Sequence, residues 1–244
     1  MLKLTIDNRV IELEDGVATI LAVAEKAGIS IPTLCYHEEL TPIGSCRLCV
    51  VEITHNGKSG IITACNYPVV DGMKITTNSE KVISLRKMAM ELLLAQCPQS
   101  DTIQQLARKL GVQEARFIVK KQDCILCQRC FKACHEIVGV GAIEFTTKCV
   151  GLGTDEASIA IMPEKCIGCG SCFYVCPTGA ITMADKGDAR TLTMRSQKIH
   201  KVKFKLRQCK KCGSYWAPEK QLDFISKTTG VSPETFDLCP DCRD

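Results

Sequence analysis

The sequence of 244 residues lacks any uncharged stretch as long as the roughly 20 apolar residues that a membrane-spanning helix needs. Its first ten residues, MLKLTIDNRV, lack the continuous apolar segment of a secretory signal peptide, so we expect no export. Aromatic residues make up only 5% of the chain and the net charge is only +4, which argues against a nucleic-acid-binding protein. Without an export signal, cysteines are expected to stay reduced, and we predict a cytoplasmic location.

Sequence patterns for nucleotide binding and hydrolysis are also missing. The pairs Gly139/Gly141 and Gly151/Gly153 are not followed by the third glycine and the helix of a dinucleotide-binding motif. No serine, histidine and aspartate stand in a recognisable catalytic context. We therefore expect no flavin or nucleotide site and no catalytic residue within this chain.

Cysteine, in contrast, is abundant, with 18 residues. Two runs share one spacing: the first run is Cys124, Cys127, Cys130 and Cys134, and the second run is Cys166, Cys169, Cys172 and Cys176. Each cysteine of the second run lies 42 residues after its counterpart, as Cys166 follows Cys124. This spacing is typical of two-cluster ferredoxins, whereas structural zinc and a disulfide scaffold are the weaker alternatives.

In two-cluster ferredoxins the fourth cysteine of each run binds the other cluster. One [4Fe-4S] cluster is thus predicted to be held by Cys124, Cys127, Cys130 and Cys176. The other [4Fe-4S] cluster is predicted to be held by Cys134, Cys166, Cys169 and Cys172.

Residues 1–80 carry a third cysteine set. Alternating apolar residues predict strands at 2–6 and 10–13, and a helix from Thr19 ends at Gly28, which together suggest a β-grasp sheet over a helix. Four cysteines in this segment are predicted to hold one [2Fe-2S] cluster: Cys35, Cys46, Cys49 and Cys65. Gly44 precedes the close pair, where the loop must wrap tightly around a cluster. The alternative is four buried cysteines of an ordinary core.

The rest of the chain completes a modular α+β organisation. Residues 81–120 are predicted to be a helical spacer, with helices at 81–96 and from Ser100 or Asp101 to Gly111. A dicluster ferredoxin-like domain is predicted at 121–185, with a polar loop at 146–158 and an exit linker at 185–188. The last unit, 198–244, contains the basic strand 200–207, whose Val202, Phe204 and Leu206 are expected to be buried.

The last unit also contains two short cysteine pairs, a pattern that predicts a zinc-ribbon or rubredoxin-like site. Its four ligands would be Cys209, Cys212, Cys239 and Cys242. Zinc is the predicted metal, and a rubredoxin-type iron is the alternative. Cys97 and Cys149 are left over and are interpreted as ordinary thiols.

A family resemblance can now be stated on these residues. The segments Pro42 to Cys49, Thr63 to Cys65 and Val70 to Thr76 resemble the N-terminal two-iron domain of the large iron–sulfur subunit of respiratory complex I. The first run with Gly139 to Phe145 resembles the dicluster part of the same family. Diaphorase subunits of bidirectional and electron-bifurcating hydrogenases and of formate dehydrogenases share these domains. The resemblance covers about residues 1–185.

The resemblance implies an electron-transfer subunit of a soluble oxidoreductase. It would connect a flavin- and NAD(P)H-binding subunit with a catalytic hydrogenase or formate dehydrogenase, with ferredoxin as a further candidate partner and electron bifurcation as an option. Many relatives carry another cluster between the domains, but segment 95–100 has one cysteine and no histidine, so we predict its absence. The alternative is a free-standing redox carrier or a redox-sensing regulator whose zinc ribbon binds nucleic acid.

Overall fold

The computed structural model describes residues 1–14, 18–119, 122–149, 155–196 and 199–243, and leaves the side chains of 146–149 and 155–158 undescribed. The chain divides into two compact units, Met1–Cys127 and Gln128–Asp244, and each is considered by itself. Within the described ranges, no helix has both the length and the apolar character needed to cross a membrane.

The first unit contains a five-stranded sheet in the order β2-β1-β5-β3-β4. Its strands are β1 Leu2–Ile6, β2 Arg9–Leu13, β3 Val50–His55, β4 Lys58–Thr63 and β5 Lys74–Thr76. Strands β1 and β5 are parallel, and the other neighbours are antiparallel. Helix α1, Ile20–Lys26, begins where the Thr19 side chain accepts a hydrogen bond from the Ala22 N–H, and its apolar side packs against the sheet. The sheet-over-helix arrangement agrees with the sequence prediction.

Two helices complete the first unit: α2, Glu80–Gln96, and α3, Asp101–Lys109. Both were expected from the sequence, in which the apolar residues at helical spacing along α2 are Val82, Leu85, Met88, Ala89, Leu92 and Leu93. The helix buries Val82 and Leu93, whereas Met88 and Leu92 remain 44% and 43% exposed. The predicted apolar stripe is wider than the contact between α2 and the rest of the unit, so part of it faces solvent.

The second unit begins with short helical pieces and a hairpin. Helix α4, Arg129–Lys132, continues into a π-helical turn at Ala133–Ile137, and α5 spans Ser171–Tyr174. Strands β6, Ile143–Cys149, and β7, Asp155–Ile161, pair antiparallel. The predicted loop at 146–158 is therefore wrong for its two described ends, which belong to this hairpin, while 150–154 lies outside the described residues.

A four-stranded sheet in the order β11-β10-β9-β8 forms the rest of the second unit. Its strands are β8 Ile181–Lys186, β9 Ala189–Arg195, β10 Ile199–Gln208 and β11 Tyr215–Pro218. The predicted exit linker at 185–188 is wrong, because these residues belong to the β8–β9 hairpin. Asp185 and Lys186 end β8, and Gly187, with a φ of 60°, lies in the turn. The predicted basic strand is confirmed as part of β10, and its residues Val202, Phe204 and Leu206 are buried. The sheet takes strands from both sides of the predicted domain boundary.

The C-terminal end of the second unit has a small apolar core. Helix α6, Glu219–Thr229, and the 3-10 turns Pro233–Asp237 and Pro240–Cys242 surround it. Ala217, Leu222 and Phe236 form this core. Because this core is small, other contacts must help to hold the two cysteine pairs in position.

Candidate metal centres

The four N-terminal cysteines are all buried, and they lie in the loop after α1 and at the end of β4. Their thiols form two hydrogen-bonded pairs, Cys35 with Cys46 and Cys49 with Cys65. The Cys46 thiol lowers the pKa of Cys35, and the Cys65 thiol lowers the pKa of Cys49. Two pairs of sulfurs, each with one easily formed thiolate, suit a centre with two irons that each take two protein ligands.

Gly44 allows the ligand loop to lie against β4. Its φ is +67°, and a Cβ placed there would lie 2.8 Å from the Thr63 Oγ1. The Thr63 hydroxyl in turn donates to the Asn66 Oδ1 at 2.5 Å, just beside Cys65. Only glycine fits both the backbone conformation and the close approach, which agrees with the tight loop predicted from the sequence.

The first run crosses from one unit to the next. Cys124 and Cys127 end the first unit, whereas Cys130 and Cys134 begin the second. The Gln96 side chain donates to the Cys124 carbonyl at 3.0 Å, and the Leu126 N–H donates to the Cys124 sulfur at 3.3 Å. The first half of the run thus has local support, and the cluster predicted to bind here remains a prediction.

Cys134, Cys166, Cys169 and Cys172 line one cavity in the second unit. Its other walls are mostly apolar, and they include Val138, Ile161 and Leu192. This set is the one that ligand crossing requires, with three cysteines of the second run and the fourth cysteine of the first. Ligation itself is still a prediction.

Burial and the closeness of the other thiols raise the pKa of cysteines that line this cavity. Burial raises the pKa of Cys172 to about 12, and the neighbouring cysteines add to the effect. Burial also raises the pKa of Cys134, although the Ala142 N–H donates to its sulfur at 3.1 Å. A bound metal would have to displace these protons, and the N–H donor would then stabilise the thiolate.

The backbone shows the same repeat as the cysteine spacing. Gly168 and Gly170 of the second run have φ values of 78° and 82°, and Leu126 and Gln128, at the equivalent positions of the first run, have 55° and 62°. The two glycines also permit close packing, because a Cβ on Gly168 would lie 2.7 Å from the Phe204 ring. Strand β10 therefore packs directly on the second cysteine loop.

The C-terminal cysteines come together as a possible metal site. The sulfurs of Cys209, Cys212, Cys239 and Cys242 all lie within 4.8 Å of one another. The distance between the Cys212 and Cys239 sulfurs is 3.8 Å, and the Cys239 N–H donates to the Cys209 sulfur at 3.3 Å. Backbone N–H groups of Cys212 and Cys239 lower the pKa of Cys209 to about 6.

Ion pairs connect the two halves of this site. The Lys210 Nζ lies 2.6 Å from the Asp237 Oδ2, and the Arg207 Nη1 lies 3.3 Å from the Asp237 Oδ1. The Lys210 N–H also donates to the Asp237 carbonyl. Asp237 thereby holds the first cysteine pair beside the segment that precedes the second pair.

Cys97 and the histidine nearest to a cysteine run have packing roles in the described residues. Cys97 is buried in the core that contains Met90 and Ile103. The His135 ring stacks on Phe131 at 4.1 Å, and its Nε2 lies 2.9 Å from the Ile143 carbonyl oxygen. The side chain of Cys149 lies outside the described residues.

Sequence reasoning missed Arg86, a charged residue in the middle of α2. It is buried against β3, and its Nη2 donates to the Val50 carbonyl at 2.7 Å, directly after the ligand candidate Cys49. Its burial could have been predicted from its spacing, because Arg86 stands four residues after Val82 and four before Met90 on the buried side of the helix.

Family models match three parts of the chain, of which the second and third overlap. A 2Fe-2S iron-sulfur cluster binding domain matches residues 1–80. One 4Fe-4S dicluster domain matches residues 117–183, and another matches residues 165–214. The order of the matches is the order of the predicted cysteine sites.

Curated relatives match over part of their length. The NADPH-Fe(3+) oxidoreductase subunit alpha of Geobacter sulfurreducens is 38% identical over 173 residues, which cover 61% of this chain and 20% of that protein. The mitochondrial NADH-ubiquinone oxidoreductase 78 kDa subunit of Candida albicans is 31% identical over 207 residues, which cover 74% of this chain and 28% of that protein. The chain thus spans less than a third of the length of these relatives.

A solved structure is similar as well. In the crystal structure of NAD+-reducing [NiFe]-hydrogenase in the H2-reduced state, one chain matches with a TM-score of 0.54 and 28% identity. The match covers 66% of this chain and 74% of that chain. These similarities confirm the resemblance that was stated on the sequence motifs.

Proposed function

We propose that this chain, in which a 2Fe-2S domain precedes a 4Fe-4S dicluster domain, is an electron-transfer subunit of a multi-subunit oxidoreductase. It would conduct electrons between a flavin-containing subunit that reacts with NAD(P)H and a catalytic partner such as a hydrogenase or formate dehydrogenase. The observation that carries the proposal is the succession of cysteine sites in one chain, together with relatives named as subunits of NADPH and NADH oxidoreductases.

The candidate ligands fit the groups that the family models imply. Four buried thiols in two pairs suit a [2Fe-2S] cluster, and the four thiols of the apolar cavity suit a [4Fe-4S] cluster. A second [4Fe-4S] cluster would be held by Cys124, Cys127, Cys130 and Cys176. When bound, these clusters supply one-electron steps.

The chain itself supplies ligands, hydrogen bonds and protection from water. N–H groups of Cys46, Leu126 and Ala142 donate to the sulfurs of Cys35, Cys124 and Cys134, and they would stabilise negative charge there. The apolar walls of the cavity would keep water from the sulfurs and so influence the reduction potential.

We assign zinc to the C-terminal site. A tetrahedral ion with Zn–S bonds of about 2.3 Å separates its sulfurs by about 3.8 Å, and the Cys212–Cys239 separation of 3.8 Å agrees with this geometry. A rubredoxin-type iron is the alternative. Zinc has no redox step, so the site would stabilise the C-terminal region without carrying electrons.

Isolation of the native complex tests the proposed function. The tagged chain is purified anaerobically, co-purifying subunits are identified, and cluster reduction by NADH and NADPH is followed by EPR. We expect a flavoprotein to co-purify and the clusters to be reduced. In Cys49→Ser the two-iron signal should be lost and electron transfer slowed, whereas Glu39→Gln, an exposed change in the same loop, should behave as wild type.

Other outcomes would contradict the proposal. A chain that isolates alone, with clusters that do not respond to either pyridine nucleotide, would support a free-standing carrier. Specific retention of DNA would support a regulator. The cytoplasmic location and electron bifurcation remain predictions; the composition of the isolated complex addresses bifurcation.

A further inference from the structure

Arg86 is a buried cation in the first unit. Only 5% of its surface is exposed, although it lies in the middle of α2. Its Nη2 donates to the Val50 carbonyl at 2.7 Å, and its Nη1 lies 3.4 Å from the Asn78 Oδ1. Its Nε is buried without a hydrogen-bond partner among the described residues. The guanidinium is therefore fixed in place but incompletely compensated.

The charge of Arg86 needs a counter-charge. Arginine remains protonated in proteins, and a buried charge without a counter-ion is costly. In the part of the chain that the structure describes, no carboxylate pairs directly with Arg86. Asp7 attracts Arg86 from a distance, and its carboxylate accepts a hydrogen bond from the Thr77 N–H at 2.7 Å. The nearby carboxylates thus leave the burial of this cation unexplained.

A negative charge on the candidate ligand Cys49 would supply the missing counter-charge. Val50, which accepts the hydrogen bond from Arg86, directly follows Cys49 in the chain. Burial lowers the pKa of Arg86, and the negative charge of Cys49 opposes this effect more strongly than Asp7 does. A two-iron cluster on four thiolates is negative when oxidised, and its reduction adds one more negative charge.

We propose that Arg86 is a positioning residue that acts as the buried counter-ion of the [2Fe-2S] cluster and raises its reduction potential. A fixed positive charge stabilises the reduced cluster more than the oxidised cluster, because the reduced cluster is more negative. Burial strengthens this difference, because the field is poorly screened by water and salt. The inference rests on the two-iron centre of the proposed function.

Redox titration by EPR tests the inference on the purified holoprotein. Arg86→Met and Arg86→Gln remove the charge, and both should shift the two-iron midpoint potential to more negative values. Arg86→Lys keeps the charge and should stay closer to wild type. Lys87→Gln removes the same charge from an exposed neighbour on the same helix and should leave the potential unchanged.

A second variant keeps Arg86 and its contacts in place. Asn78→Asp places a carboxylate at the site of the 3.4 Å contact with Nη1 and should lower the potential by compensating the cation. This variant decides the question if the neutral Arg86 variants fail to assemble a cluster.

Three results separate the inference from the proposed function. If neither Asn78→Asp nor any neutral Arg86 variant lowers the potential, Arg86 is only a structural tie between α2 and β3. If Arg86→Lys shifts the potential as much as Arg86→Met, charge is not the cause. If the wild-type chain gives no two-iron signal, the proposed function fails, and the inference that rests on it fails with it.

Discussion

Gly44→Ala adds only one methyl group, but it is expected to destabilise the N-terminal two-iron centre. The substitution has two costs. A non-glycine residue at a φ of +67° costs about 1–2 kcal/mol in left-handed backbone strain. The new Cβ would also lie 2.8 Å from the Thr63 Oγ1, so the loop or Thr63 must move.

Thr63 cannot move without further loss. It is buried, and its hydroxyl donates to Asn66, a bond worth about 1 kcal/mol. We therefore expect Gly44→Ala to cost about 2–3 kcal/mol, compared with about 1–2 kcal/mol for strain alone. Because Cys46 and Cys65 lie two residues from Gly44 and Thr63, the two-iron centre should be lost early during unfolding.

Gly28→Ala is the matched control. Its φ is +71°, but a Cβ there would meet nothing within 4 Å, so it carries the strain without the clash. The assay is urea unfolding of the purified chain, followed in parallel by far-UV and visible circular dichroism. Equal losses of stability and of visible signal in the two variants would refute the role of the close approach.

Three further predictions concern the metals. Elemental analysis should find about ten irons and about one zinc per chain. About fourteen irons would indicate an additional four-iron cluster, and about eleven irons without zinc would indicate a rubredoxin-type iron at the C-terminal site. Cys134→Ser should alter the EPR signal of the cluster predicted on the second run, whereas Cys176→Ser should alter the other one, and the opposite assignment would exclude ligand crossing. The double variant Cys209→Ser/Cys212→Ser should increase proteolysis of 198–244 and weaken assembly with the partner subunits, while the EPR signals of the iron–sulfur clusters persist. Normal assembly with loss of electron transfer would identify the C-terminal site as an iron site that carries electrons.

The sequence predicts some elements well because their signals are local. Helix α2 is predicted at 81–96 and found at Glu80–Gln96, since helix spacing and a capping serine act within a few residues. The alternation of β10 is equally local, and its buried side is found as expected. The four cysteines that line the cavity in the second unit are anticipated from the repeat, because iron–sulfur sites impose strict spacing.

Other features depend on partners that are distant in sequence. The polar segment that resembled a loop contributes to the β6–β7 hairpin, and 185–188 forms the end of β8 and the turn to β9 because these two strands pair. Strand formation depends on cross-strand neighbours more than on local preference. Arg86 was missed for a similar reason, since its burial becomes visible only when α2 packs beside Val50.

Coulometric reduction of the anaerobically purified chain, monitored by EPR, tests the central claim most directly. We predict that the chain takes up about three electrons, one for each cluster, and that a two-iron signal and two four-iron signals develop. Uptake of one electron or none, or the absence of the two-iron signal with all iron retained, would contradict an electron-transfer chain through three clusters.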